Sequence, residues 1–346
     1  MSVTYVPVMW NRNKRVYDGF VATGVALYLA VFLLVGSAVD AAGFPILLIR
    51  SLGTCAYVML HVLLVIGPLA RLDRRFLPLV YNRRHFGVAT FFVAIGHVVG
   101  AVGYYHGFGI LNPLRSLLFL PGSFPFEWFG LAVFLVLFLM AATSHDFWQK
   151  TFAPGVWKSL HMLVYPAYSL LVLHVIFGAL KTEVHQVVVG LVGLGFLLVG
   201  GLHLGVGLRE RYRDGRSPVV RVPPNNSWVE VGTVDEIPEN RAKLVCLPGK
   251  ERIALFRYDG CVSAVTNVCA HQQGPLGEGK IVNGCISCPW HGWEYKPGDG
   301  CSPPPFREKI TIFRTRVDGR RVLIDPTPLL PGTPVEPSRF EVARHG

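Results

Sequence analysis

Cys269-Ala270-His271 and Cys288-Pro289-Trp290-His291 are two short segments that each offer one thiolate and one imidazole. Around them the sequence breaks into brief runs rich in β-branched residues and separated by Gly and Pro, the pattern of strands joined by tight turns. Strands are predicted at 228–231, 242–247, 252–257, 262–267, 280–282, 310–317 and 321–324, so this part of the chain reads as a small antiparallel β domain. Two Cys and two His from two turns suit either of two centres. One zinc ion takes four such ligands, and Cys285-Ile286-Ser287-Cys288 is itself a C-x-x-C pair. A two-iron cluster takes two thiolates on one iron and two imidazoles on the other. The zinc reading leaves Trp293 and the run Ser302-Pro303-Pro304-Pro305 without a role.

Over residues 227–326 the sequence resembles the Rieske family, through both ligand segments, Gly274-Pro275-Leu276, Trp290-His291-Gly292-Trp293 and the proline run. The resemblance implies a [2Fe-2S] cluster held by Cys269, His271, Cys288 and His291. Cys246, Cys261, Cys285 and Cys301 are then ordinary small residues of the domain. High-potential members of the family, found in quinol-oxidising complexes, have an extra Cys in each ligand loop, joined as a disulfide, and a Ser that hydrogen-bonds a cluster sulfur. Here those positions hold Gly274, Trp290 and Trp293, and only Tyr295 keeps the place of a hydrogen-bonding Tyr.

The chain before this domain is physically different. Of its 346 residues, 51% are hydrophobic and 16% charged, mean hydropathy is +0.41, and the apolar residues concentrate before about Leu208. Stretches 19–39, 44–69, 86–105, 128–143, 160–180 and 187–208 are predicted to cross the roughly 30 Å hydrocarbon layer as helices, with 128–143 the shortest. The first follows Asn11-Arg12-Asn13-Lys14-Arg15 as a signal peptide would, but exceeds the roughly 7–15 residues of a signal h-region and reads as a span. A net charge of +11 raises nucleic acid as a partner. The Arg and Lys residues sit instead at the ends of apolar runs, among lipid headgroups, and no nucleic-acid partner is expected. Their distribution (Arg12, Lys14 and Arg15; Arg71, Arg74, Arg75, Arg83 and Arg84; Lys150 and Lys158; Arg209, Arg211, Arg213 and Arg216) predicts both termini in the cytoplasm. A multi-pass protein of the cytoplasmic (inner) membrane, with the N-terminus and the β domain cytoplasmic, follows. Seven Cys, six of them after residue 240, do not make a disulfide scaffold.

Ionisable groups within a bilayer are costly and are read as functional by default. His85 and His97 lie 12 residues apart in the third span and His161 and His174 lie 13 apart in the fifth, about 18–20 Å along each helix. The two helices run the same way, so His97 can face His174 at one depth and His85 can face His161 at another. Opposed imidazoles on neighbouring helices suit b-type haem, and Gly96 and Gly100 beside His97 offer a porphyrin room. His61, His106 and His203 read as packing residues. Over 52–204 the sequence resembles the ferric-reductase-like transmembrane family, through Arg83-Arg84-His85-Phe86-Gly87 leading to His97 and Trp157-Lys158-Ser159-Leu160-His161-Met162-Leu163-Val164-Tyr165 leading to His174. That resemblance implies one haem between His97 and His174 and a second between His85 and His161.

The expected fold is a multidomain membrane protein, an all-α six-helix transmembrane bundle at 1–210, a linker at 211–226, an all-β Rieske-type antiparallel domain at 227–326 and a Pro-rich tail at 327–346. The expected function is transmembrane electron transfer from a cytoplasmic reductase or ferredoxin, through the cluster and haem, to a periplasmic or membrane acceptor. No G-x-G-x-x-G follows a strand to suggest a dinucleotide fold. An oxygenase would need a 2-His-1-carboxylate iron site in a large soluble domain, and the stretch after 326 is too short for one. A membrane-tethered Rieske ferredoxin or redox sensor, without transmembrane transfer, is the competing reading. Fewer donors to the cluster sulfurs stabilise the reduced state less, so a redox titration is expected to give a potential near the low end of the Rieske range, roughly −150 mV, and a value near +300 mV would contradict this.

Overall fold

The computed structural model describes residues 12–39, 42–76, 79–80, 82–107, 126–145, 148, 151–152, 154–182, 186–216, 228–246, 252–271, 273–290, 292–304 and 306–340. The chain divides into two units, Met1–Val206 and Gly207–Gly346.

The first unit is helical: α1 (Arg12–Val39), α2 (Phe44–Leu72), α3 (Arg83–His106), α4 (Phe126–Ala142), α5 (Pro154–Met162), α6 (Val164–Phe177), the short α7 (Ala179–Thr182) and α8 (Gln186–Arg216). Among the described residues, with α5 and α6 counted as one broken span, five are long and apolar enough to cross a membrane, while α4, at 17 residues, is the short sixth. The break has a cause. Pro166 lacks an N–H and its ring clashes with the carbonyl four residues earlier, at Met162, where α5 ends. The last helix runs on past Leu208 to Arg216, so the expected linker begins as helix; Arg209, Glu210 and Arg211 are good helix formers once clear of the apolar run. At the centre, Leu60, Leu63 and Leu64 of α2 pack with Val164 and Tyr168 of α6 and Val199 of α8.

The second unit is antiparallel β: β1 (Val229–Thr233), β2 (Arg241–Cys246), β3 (Arg252–Tyr258), β4 (Cys261–Thr266), β5 (Lys280–Val282), β6 (Cys285–Ser287), β7 (Glu294–Tyr295), β8 (Ile312–Phe313), β9 (Thr315–Asp318), β10 (Arg321–Ile324) and β11 (Ser338–Arg339). They form the sheets β1-β10-β9, β11-β4-β3-β2 with β8 also on β4, and β5-β6-β7. Two hairpins turn through Asp259-Gly260 (φ 46° and 71°) and Asn283-Gly284 (φ 50° and 76°), the left-handed pairs that match strand twist. One core gathers Val231, Ile253, Leu255, Val262, Phe313 and Ile324 between the larger sheets. The other, with Phe256, Leu276, Ile286, Tyr295 and Ile312, encloses Cys269 and Cys288. Those two cysteines follow β4 and β6, so one ligand segment leaves the large sheet and the other is the tip of the β6–β7 hairpin.

The Pro-rich tail is not a loose extension. Leu329 and Val335 pack on the second core and Phe340 on the first, and β11 pairs with β4. The Leu329 N–H donates to Ile312 O at 3.1 Å and the Phe340 N–H to Gly260 O at 3.0 Å, while the Arg257 guanidinium lies 5.3 Å over the Phe340 ring. Because Phe340 is only partly buried, Phe340→Ala is expected to cost about 1–2 kcal/mol rather than the roughly 3–5 of a fully buried Phe, measured as a shift in denaturant unfolding.

Candidate functional site

The two ligand segments share one backbone frame despite their different spacing. The Cys269 N–H donates to Gly274 O at 2.9 Å and the Gln273 N–H to Cys269 O at 2.8 Å; the Cys288 N–H donates to Trp293 O at 2.8 Å and the Gly292 N–H to Cys288 O at 2.9 Å. In both, the residue four after the Cys turns left-handed, Gln273 at φ 57° and Gly292 at φ 66°. The conformation is natural for Gly292, whereas for a residue with a Cβ such as Gln273 it costs about 1–2 kcal/mol. Within this common frame the imidazole stands two positions after the first Cys and three after the second.

Both thiols are buried, Cys269 at 1% exposure and Cys288 at 3%. Gly274 is where the loops meet: a Cβ there would come within 2.8 Å of Cys288 Sγ and 3.2 Å of the Trp290 ring. The fully buried Tyr295 hydroxyl lies 3.3 Å from Cys269 Sγ and accepts the His271 N–H at 3.3 Å. Burial first, and the neighbouring Cys269 second, push the Tyr295 phenol far above its ordinary pKa, so it stays a protonated donor. The His271 ring lies flat on Trp293, with centroids 4.1 Å apart and planes 7° from parallel. Trp293 is pinned in turn by Nε1–H donation to Ser302 Oγ at 3.0 Å and by Phe306 at 4.3 Å. His291 lies outside the described residues, as does Pro305 of the proline run. Cys285 stands on β6 with a thiol whose pKa is raised, by burial and then by Glu294, which keeps it a neutral thiol. Among the described residues no three His, Cys, Asp or Glu side chains gather as they would on a single ion; a two-iron cluster asks for two ligands on each metal.

In the helical unit, His97 of α3 and His174 of α6 face each other with ring centroids 6.4 Å apart and planes 81° apart. Each ring gives its Nδ1–H to a carbonyl on another helix, His97 to Ile49 O of α2 at 2.9 Å and His174 to Phe126 O of α4 at 2.7 Å. The lone pair of each ring is therefore on Nε2. Two imidazoles 6.4 Å apart, each tautomer fixed by a carbonyl, are a donor set that fits a haem iron. The same local device holds both rings. Gly53 and Gly130 stand four residues after Ile49 and Phe126, and a Cβ on either would come within 2.8 Å of His97 or 2.7 Å of His174. A helix carbonyl is open to a second donor because the residue one turn on has no side chain. Gly96 and Gly100, expected to make room for a porphyrin, instead admit Leu52 and Ile49 of α2.

The other pair is not brought together in the same way. His161 stacks on Trp157 at 3.9 Å, shares its Nδ1–H with Trp157 O at 3.0 Å, and its buried Nε2 has no hydrogen-bond partner. His85 Nδ1 lies 3.3 Å from Asp18 of α1. His106 meets Glu127 at 3.5 Å, and His203 shares Nδ1–H with Val199 O at 2.9 Å. Sequence reading missed Gly53, Gly130 and Phe306, and had Ser302 only as the start of the proline run. The two glycines carried a faint signal as small residues in apolar helices, and Phe306 carried none.

Residues 227–314 match the family of the Rieske [2Fe-2S] domain, and residues 52–172 match the ferric reductase like transmembrane component. The naphthalene 1,2-dioxygenase system ferredoxin component of Pseudomonas aeruginosa is 30% identical over 101 residues, 28% of this chain and 94% of that protein. The biphenyl dioxygenase ferredoxin subunit of Pseudomonas sp. (strain KKS102) is 32% identical over 102 residues, 29% of this chain and 92% of that one. Cholesterol 7-desaturase nvd 1 of Ciona intestinalis is 37% identical over 108 residues, 30% of this chain, and the chain spans only 22% of its length. Tyr295→Phe removes a donor that favours the reduced cluster, and a loss of about 1 kcal/mol is expected to lower the midpoint potential by roughly 40 mV in a redox titration, with no loss of iron.

Proposed function

We propose, because this chain belongs to the Rieske [2Fe-2S] family through its C-terminal domain and carries a ferric reductase like transmembrane component before it, that it moves electrons across a membrane between the two. The protein is a membrane-associated electron-transfer oxidoreductase with a [2Fe-2S] cluster and an electron-transfer partner. The route runs from a cytoplasmic reductase or ferredoxin, through the cluster, to b-type haem in the helical unit and on to an acceptor in the membrane or beyond it, in the inner membrane with the Rieske domain cytoplasmic.

The cluster and haem supply one-electron carriers, and the chain's residues bind and insulate them. Cys269 and Cys288 would hold one iron, with His271 and His291 on the other. Gly274 lets the loops close, Tyr295 donates to Cys269, and Trp293 covers one face of His271 against water. His97 and His174 would hold a haem between them, each tautomer fixed by its carbonyl partner. His161, with an unpartnered buried Nε2, is the anchor of a second level, with His85 as its partner once the Asp18 contact gives way. Carriers close to the two ferredoxin components in sequence support the direction of entry, through the Rieske domain.

The observation that carries this reading is the 6.4 Å spacing of His97 and His174, with both Nδ1 groups engaged elsewhere. The purified protein is expected to show a low-spin Soret band and a Rieske paramagnetic signal in one preparation. His97→Ala and His174→Ala should each remove at least half of the haem and leave the Rieske signal intact. Wild-type protein without a Soret band, or haem retained in both variants, would instead favour a membrane-tethered ferredoxin.

A further inference from the structure

A third histidine in the helical unit is built into a polar cluster that neither carrier uses. His61 of α2 has its Nδ1 2.8 Å from Tyr57 O, and since a carbonyl only accepts, the ring proton is on Nδ1. Nε2 therefore accepts the Tyr168 O–H from α6 at 2.9 Å. Tyr57 is 5% exposed, His61 8% and Tyr168 6%. The Tyr57 ring lies 4.3 Å from the imidazole, and its buried hydroxyl has no hydrogen-bond partner among the described residues. From α8, Gly195 presses its backbone against Nε2 so closely that a Cβ would overlap it, closing the site from that side. Burying such groups in hydrocarbon is costly, and the unbonded hydroxyl leaves the cluster a spare donor and acceptor.

Its position suggests which change. Tyr168 lies seven residues after His161 and six before His174, about 9–11 Å from each along the chain. His61 lies eight residues, about 12 Å, from Gly53, which packs on His97. The cluster is thus midway between the two levels of candidate ligands. One negative charge at such a distance, at an effective dielectric constant of about 20, raises the proton affinity of an imidazole roughly tenfold.

Resting on the haem reading above, we propose that His61 is a proton-accepting site that compensates the charge of an electron held in the membrane unit. For each electron that enters from the donor, one proton from bulk water binds Nε2. The new N–H donates to the Tyr168 oxygen, whose own hydrogen turns to another acceptor, with the Tyr57 hydroxyl as the spare group of the cluster. When the electron leaves, the proton is released. Among the described residues, the titratable groups in contact with His61 are Tyr57 from its own helix and Tyr168 from α6, and α8 presents Gly195.

The test is a spectroelectrochemical titration of the haem bands of the full-length protein in lipid nanodiscs over a series of pH values. A protonated His61 favours the reduced state, so the wild-type midpoint should fall as pH rises, by up to one tenfold change in the redox equilibrium per pH unit. His61→Gln should flatten that slope with the low-spin spectrum unchanged, and Tyr168→Phe, which removes one hydroxyl, should displace the pH window. A flat wild-type profile, or a slope that survives in His61→Gln with its spectrum intact, overturns the proposal. If His61→Gln loses haem, Tyr168→Phe decides, and an unmoved profile there overturns it. Wild-type protein with no Soret band removes the haem reading, a different failure, and this proposal with it.

Discussion

An imidazole that gives its Nδ1–H to a backbone carbonyl has fixed its tautomer and its orientation, and its Nε2 becomes a lone pair held in place. That interaction recurs through the helical unit and sorts its histidines. His61, His161 and His203 use the carbonyl four residues earlier in their own segment, at Tyr57, Trp157 and Val199. His97 and His174 use carbonyls of other helices, at Ile49 and Phe126. The first arrangement needs only a helix. The second needs two helices within touching distance, and Gly53 and Gly130 provide it by leaving the acceptor turn bare. The α2–α3 and α4–α6 contacts are two copies of one device, and they hold two imidazoles 6.4 Å apart, each with its lone pair on Nε2.

The β domain meets the same problem by other means. It has no helix to orient its ligands, so it repeats a five-residue backbone frame after Cys269 and after Cys288 and spends left-handed geometry at Gln273 and Gly292 to close it. The imidazole at His271 is then set by stacking, with Trp293 held by Ser302 and Phe306. Tyr295 completes the arrangement from beneath, as a phenol kept protonated by burial. The tail strengthens this unit by adding Leu329, Val335 and Phe340 to its two cores.

Much of this was legible in the sequence. The spans follow from apolar runs of membrane length, and α4 was marked as the short one. The strands follow from β-branched runs between turn residues, with Asp259-Gly260 and Asn283-Gly284 marking hairpins by their tolerance of positive φ. Shorter pairings escaped: β7 and β11 are two residues long, below the length at which a period of two can be read, and β6 was missed although β5, equally short, was read. The part the tail takes in both cores was not legible, because proline content says where a chain cannot ladder, not what its Leu, Val and Phe side chains touch.

Composition and spacing marked the candidate ligands, and the resemblance to known families said which centres they would hold. Thiolates, imidazoles and long apolar runs are properties of residue type, which needs no partner to be recognised. What only the tertiary structure decided is which of these groups meet. It set His97 against His174 while leaving His85 on Asp18, and turned Gly96 and Gly100 toward α2. It also tied His61 to Tyr168 across 107 residues. The helical period fixes a residue's direction about its own axis but carries nothing about the rotation or approach of the neighbouring helix, and those depend on contacts far apart in sequence.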